Sequence, residues 1–144
     1  MTILAPTPES TTTTDASFAA QERTWHAVCR LDDLIPHRGV AVLVEGHAVA
    51  IFRMHDDEVR AIGNIDPYAG ASVLARGLVG HTLQDGDLVT YVASPLRKQR
   101  FDLDSGRGID GTRDVATWPV RVGNGDVMVA SEASHGGNDP ETSA

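Results

Sequence analysis

An all-β fold, a sandwich or small barrel of antiparallel strands, is predicted for this 144-residue chain by three observations. Short runs rich in Val, Ile and Ala recur along it, turn residues punctuate them at close intervals, and no long stretch keeps a helical period. Residues 25–30 read as the first strand. Residues 40–44 and 47–53 follow, joined tightly at Glu45-Gly46, and His55-Asp-Asp57 turns the chain into residues 58–62. Residues 72–80 read as loop, with Val73-Leu-Ala75 either a short helical turn or an irregular bridge. Gln84-Asp-Gly-Asp87 is a turn before residues 88–93. Residues 99–103, 118–122 and 127–130 complete the set, and the last two are joined by Gly123-Asn-Gly-Asp126, whose Asn-Gly favours positive φ and a hairpin.

A hydrophobic fraction of 41% suits one domain with one core once the ends are subtracted. Residues 1–24 carry Pro6, Pro8, Glu9, Ser10 and Thr11-Thr-Thr-Thr14, and residues 132–144 are small and polar. Neither end has the apolar content to offset the entropy of ordering, so both are expected to be disordered around a globular unit at 25–131. The N-terminus lacks the basic and apolar regions of a signal peptide, and no apolar run approaches the ~18 residues of a membrane span. A cytoplasmic protein is expected. Cys29 is the single cysteine, which rules out an internal disulfide and reads as a small buried hydrophobe in the first strand. Asp and Glu number 20 against 12 Lys and Arg, a net charge of −8, which disfavours nucleic acid and anionic membranes as partners.

Familiar motifs fail on mechanism. Gly106-Arg-Gly-Ile-Asp-Gly111 has dinucleotide-site spacing, but the residues up to Pro119 are too few and too β-branched for the helix whose amides would meet a pyrophosphate. A turn between strands is expected there. Asp102-Leu-Asp104 resembles the start of a calcium loop, yet Gly106 falls one position early and Arg113 stands where the closing Glu belongs. His26, His37, His47, His55, His81 and His135 show no metal-ligand spacing. Ser94 precedes Pro95 outside any nucleophile elbow, and its hydroxyl is expected to satisfy local backbone amides. No residue is assigned a catalytic, cofactor-binding or metal-binding role. Arg97-Lys98 with Arg100 is the densest basic cluster, read either as a solvated loop face or as a docking patch.

Two loops carry a resemblance. Asn64-Ile-Asp-Pro-Tyr-Ala-Gly-Ala71 and Ala93-Ser-Pro-Leu-Arg-Lys-Gln-Arg-Phe-Asp-Leu103 resemble the cluster-binding loops of a Rieske domain, written Cys-Pro-His-x-Gly-Ala and Cys-Pro-x-His-x-x-x-Phe-Asp. That centre needs two Cys and two His. Aligned on the Pro, Gly and Phe-Asp landmarks, Asp66 and Tyr68 stand at the first pair of ligand positions and Ser94 and Arg97 at the second. The guanidinium has no lone pair to give, and one cysteine in the whole chain excludes a cluster by counting.

The substitutes themselves, with the opening Trp25 and the segment Gly77 to Gly80, resemble the small subunit of assimilatory NADH-dependent nitrite reductase. The resemblance implies a Rieske-like β domain with a vacant tip. It further implies a large partner that carries FAD, an iron–sulfur cluster and sirohaem and reduces nitrite to ammonia. The chain would then support or orient that subunit, with Asp66, Tyr68, Arg97, Lys98 and Arg100 facing it. Two other readings stand beside this one: a stand-alone protein- or anion-binding module using Arg97 and Arg100, and an electron-transfer ferredoxin.

Overall fold

The structure, a computed structural model, describes residues 24–111 and 113–134. The disorder expected at the two ends falls almost wholly outside those residues. Strands β1 (Trp25–Arg30), β2 (Gly39–Val44), β3 (His47–Arg53) and β4 (Val59–Gly63) come first. A two-residue ladder, β5 (Ile65–Asp66) with β6 (Ala71–Ser72), lies inside the first loop. Then come β7 (Leu78–Gln84), β8 (Asp87–Ala93), β9 (Arg100–Asp102), β10 (Val120–Gly123) and β11 (Asp126–Ala130). They form three antiparallel sheets in the orders β2-β3-β4, β9-β8-β7 and β10-β11-β1.

β3 explains the arrangement. Its run Val49, Ala50, Ile51, Phe52 has no exposed surface, as a strand covered on both faces requires. Val49 and Ile51 pack into one core with Val59, Trp118, Val127 and Val129, whereas Ala50 and Phe52 pack into another with Ile62, Leu74, Val92 and Phe101. The sheet β2-β3-β4 is therefore the middle layer. Each of the larger of these side chains contributes about 1.5–3 kcal/mol by leaving water. Cys29 sits at the rim of the first core, half-buried rather than fully enclosed, and burial followed by Asp33 pushes its thiol up toward the protonated form.

Three hairpins share one turn. Glu45-Gly46, Asp85-Gly86 and Asn124-Gly125 each have both central residues at positive φ (49° and 86°, 53° and 88°, 54° and 82°). This two-residue geometry matches the twist of the strands it joins. It fixes the registers Val44 to His47, Gln84 to Asp87 and Gly123 to Asp126.

Two expectations need correction. Residues 72–80 are not loop throughout: a 3-10 turn at Leu74–Arg76 leads into strand β7. Gly80 breaks the apolar pattern of β7, and it does so because the Tyr91 ring crosses that position; a Cβ there would come within 2.7 Å of the Tyr91 hydroxyl. The strand expected at 118–122 starts later, at Val120, since Pro119 has no N–H to pair. Trp118 instead enters the first core at 4% exposure.

Phe52 fills the space between the middle layer and the loop-bearing sheet with no exposed surface. Phe52→Ala is expected to lower unfolding free energy by about 3–5 kcal/mol, read from urea denaturation with an unchanged slope.

Candidate functional site

Both loops rise from the ends of strands and are closed at the base by their own backbone. Asn64, 3% exposed, ends β4 and gathers the first loop: its carbonyl accepts from the N–H groups of Val73 and Leu74 at 3.0 and 2.9 Å. Its side chain accepts from Ala75 N–H at 2.7 Å and donates to Ser72 Oγ at 2.8 Å. The second loop closes through Ser94, whose N–H reaches Gln99 O at 2.9 Å while its carbonyl takes the N–H of Lys98, also at 2.9 Å. Lys98 holds φ of 64° to make that turn.

Asp66 and Ser94 then join the loops. Ser94 Oγ donates to Asp66 Oδ2 at 2.5 Å, and the other carboxyl oxygen accepts from Tyr68 N–H at 2.8 Å and Ala69 N–H at 3.3 Å. Ser94 Oγ in turn accepts from Leu96 N–H at 3.2 Å, which meets the sequence-based expectation for that hydroxyl. Exposure is 0% for Asp66 and 1% for Ser94. A carboxyl so deeply placed is costly unless its oxygens are hydrogen-bonded, and here both are.

The remaining positions divide into clasped and free. Tyr68 is half-buried; its ring lies 6.3 Å from that of Phe101, and its hydroxyl accepts the Arg113 N–H at 3.0 Å. A Cβ at Gly111 would fall 2.0 Å from that hydroxyl, so glycine is required for the tyrosine to seat. Arg100 is clasped by Asp110 through Nε and Nη2 at 2.9 and 2.8 Å, with its guanidinium 5.2 Å from the centre of the Tyr91 ring. The segment 106–111 thus forms a third loop against the tip and holds no helix, in keeping with the turn expected there. Leu96, Arg97 and Lys98 are exposed and form the outer surface of the second loop.

These positions change the roles expected of two residues. Asp66 was assigned to partner contact by its loop position, but it offers no surface and serves to tie the loops. Arg100 is committed to Asp110, which also removes one of the two ligands an anion site would need. The sequence gives little sign of either, because the partners lie 28 and 10 residues away. It also leaves apart three histidines that the fold brings near one another: the His37 ring centre is 6.1 Å from that of His55 and 6.2 Å from that of His81. Even so, among the described residues no group of three or more His, Cys, Asp or Glu is placed to hold a metal ion.

A [2Fe-2S] cluster does not fit the four ligand positions. Asp66 and Ser94 are spent on each other, Tyr68 on a backbone amide, and Arg97 has no lone pair. Electrostatics reinforce the third-loop clasp: the hydrogen bond from Arg100 is the main cause that holds the Asp110 carboxyl below its ordinary value of 3.8, and Asp110 raises the guanidinium further above its own.

Comparison with known proteins bears on both the frame and the substitutions. The family model for the Rieske-like [2Fe-2S] domain matches residues 24–130. The nitrite reductase (NADH) small subunit of Salmonella typhimurium is 45% identical over 107 residues, which span 73% of this chain and 95% of that protein. The solution structure of the nitrite reductase NAD(P)H small subunit from Erwinia carotovora superposes with a TM-score of 0.62 at 43% identity, covering 77% of this chain and 84% of that one. The nitrite reductase NAD(P)H large subunit of Klebsiella oxytoca is 40% identical over 124 residues, 81% of this chain but 12% of that protein.

The inter-loop bond can be weighed directly. Ser94→Ala is expected to cost about 1–3 kcal/mol in chemical denaturation, and Asp66→Ala more, since it takes the acceptor from the buried Ser94 hydroxyl and from the half-buried Tyr68 N–H together. A double-mutant cycle should return a coupling of the same order as the Ser94→Ala loss. The clasp has its own signature in acid. Because the folded Asp110 carboxyl titrates below 3.8, its contribution is present above that pH and fades as pH falls through the folded value. Asp110→Asn should flatten that part of the stability-versus-pH curve.

Proposed function

The chain belongs to the Rieske-like [2Fe-2S] domain family and, within it, to the NADH nitrite reductase small subunits. From that membership we propose that it is the cofactor-free small subunit of an assimilatory NADH-dependent nitrite reductase, supporting or orienting the catalytic large subunit. One observation carries the reading: a relative matched over 95% of its length is such a small subunit, and the fold beneath that match has replaced the cluster by a side-chain tie.

Nitrite reduction to ammonia is a six-electron reaction, and chemistry of that kind is the work of cofactors. The FAD, iron–sulfur cluster and sirohaem that the resemblance implies are assigned to the large partner in this reading, and this chain supplies surface. The Klebsiella relative supports the pairing, since a region similar to this chain lies within a protein named as the large subunit. No helix among the described residues is long and apolar enough to cross a membrane, and we place the complex in the cytoplasm.

Within the complex, the free end of the second loop is the part we assign to the partner. Leu96, 54% exposed, stands beside Arg97 and Lys98, an apolar anchor with two cations. Complementary acidic charge on the large subunit would set encounter rate and orientation. Arg100 and Asp66 act from beneath, holding the loop in shape, and Tyr68 lends its exposed edge.

Co-expression tests this. Wild-type chain is expected to co-purify with a nitrite reductase large subunit from the same organism, and Arg97→Glu/Lys98→Glu to reduce recovery at low salt without changing its own melting temperature. Recovery equal to wild type would remove the tip from the interface.

A further inference from the structure

A groove of about 540 Å³ lies at the start of β7 and is lined by Pro36, His37, Arg38 and Gly39 together with Arg76 and Leu78. The strand order β9-β8-β7 leaves the outer edge of β7 unpaired among the described residues. Edge strands are usually guarded by charge, proline or a bulge. β7, Leu-Val-Gly-His-Thr-Leu-Gln, has no Lys, Arg, Asp, Glu or Pro, and Leu78 at the groove is 79% exposed.

Charge marks the same place. Arg30, Arg53, Arg60 and Arg100 each hold a carboxylate. Arg38 and Arg76 are exposed and have no carboxylate partner among the described residues, and no Asp or Glu lines the groove. In a chain of net charge −8, two guanidinium groups without a carboxylate on one groove set that groove apart from the overall charge. The groove is also continuous with the tip. Leu78 pairs with Ala93, the residue before Ser94, so the groove opens at the root of the loop that carries Arg97 and Lys98.

We infer that this groove receives an extended, acidic segment of the large subunit, which adds a strand to the β7 edge while its carboxylates meet Arg38 and Arg76. Main-chain pairing along a free edge gives such docking its affinity, and the flanking side chains its selectivity. The inference rests on the small-subunit reading and extends its interface from the loop tip along one side of the domain. Edge-to-edge pairing of two copies through β7 would set the same arginine-lined groove against itself, which like charges oppose, whereas an acidic segment answers both guanidinium groups.

The test uses the full-length chain and the nitrite reductase large subunit of the same organism. Arg38→Glu/Arg76→Glu is expected to weaken the complex about tenfold or more at low ionic strength, with the gap to wild type narrowing as salt rises. Both residues are exposed, so an unchanged melting temperature is expected for the free variant. Hydrogen–deuterium exchange of wild type should show amides of residues 78–84 slowed on complex formation. If the variant binds as wild type does and those amides exchange unchanged, while Arg97→Glu/Lys98→Glu still weakens binding, the groove is overturned and the tip interface stands. Slowed exchange at 78–84 in the isolated chain, with dimers in sedimentation, overturns it in favour of self-association. A wild-type chain with no affinity for the large subunit overturns the small-subunit reading itself.

Discussion

The hydrogen bond between Ser94 and Asp66 is the constraint on which the tip depends. It is the point where two loops, sent out from different strands, are joined below the surface. In a Rieske centre, iron and sulfide join the corresponding loops. Here one hydroxyl and one carboxyl span the same gap, and the backbone amides of Tyr68 and Ala69 complete the carboxyl's acceptor capacity. Such a network is stable only when every member is satisfied, because a buried oxygen without a donor costs more than the bond is worth. The loop shape is thus held by polar complementarity.

Much of the frame was legible in the residues. β1 and β3 fall on their expected bounds, β3 because Glu45-Gly46 and His55-Asp-Asp57 bracket it, and the Asp85-Gly86 and Asn124-Gly125 hairpins follow from a requirement for positive φ that few residues meet. β7 was hidden for a physical reason: an edge strand that packs mainly Val79 against the core and gives up a side chain at Gly80 to Tyr91 has almost no alternation to read. The substituted ligand positions could be named from landmarks alone. Which of them faces water could not, since that depends on contacts between loops distant in sequence. Asp66 looked like a surface acid and is a core acceptor; Arg100 looked like a free cation and is half of a clasp.

The distribution of cations follows a pattern that composition conceals. Most arginines on the sheets are consumed internally, by carboxylates or by the Tyr68 and Trp25 rings in the case of Arg113 and Arg121. The ones left without a carboxylate among the described residues include Arg38, Arg76, Arg97 and Lys98, all exposed. Arg38 and Arg76 line one groove, Arg97 and Lys98 sit on the second loop, and Arg107 is likewise exposed. Cations left without carboxylates in an acidic protein steer association without altering the fold.

A protein whose loops are closed by a metal centre has part of its folding free energy in a binding step, so its stability rises and falls with the supply of that centre. Closure through Ser94 and Asp66 makes the same event unimolecular. The domain can reach its native tip as soon as its chain is complete, at any concentration of iron or sulfide. Supply of the folded domain is thereby separated from the supply of a cluster.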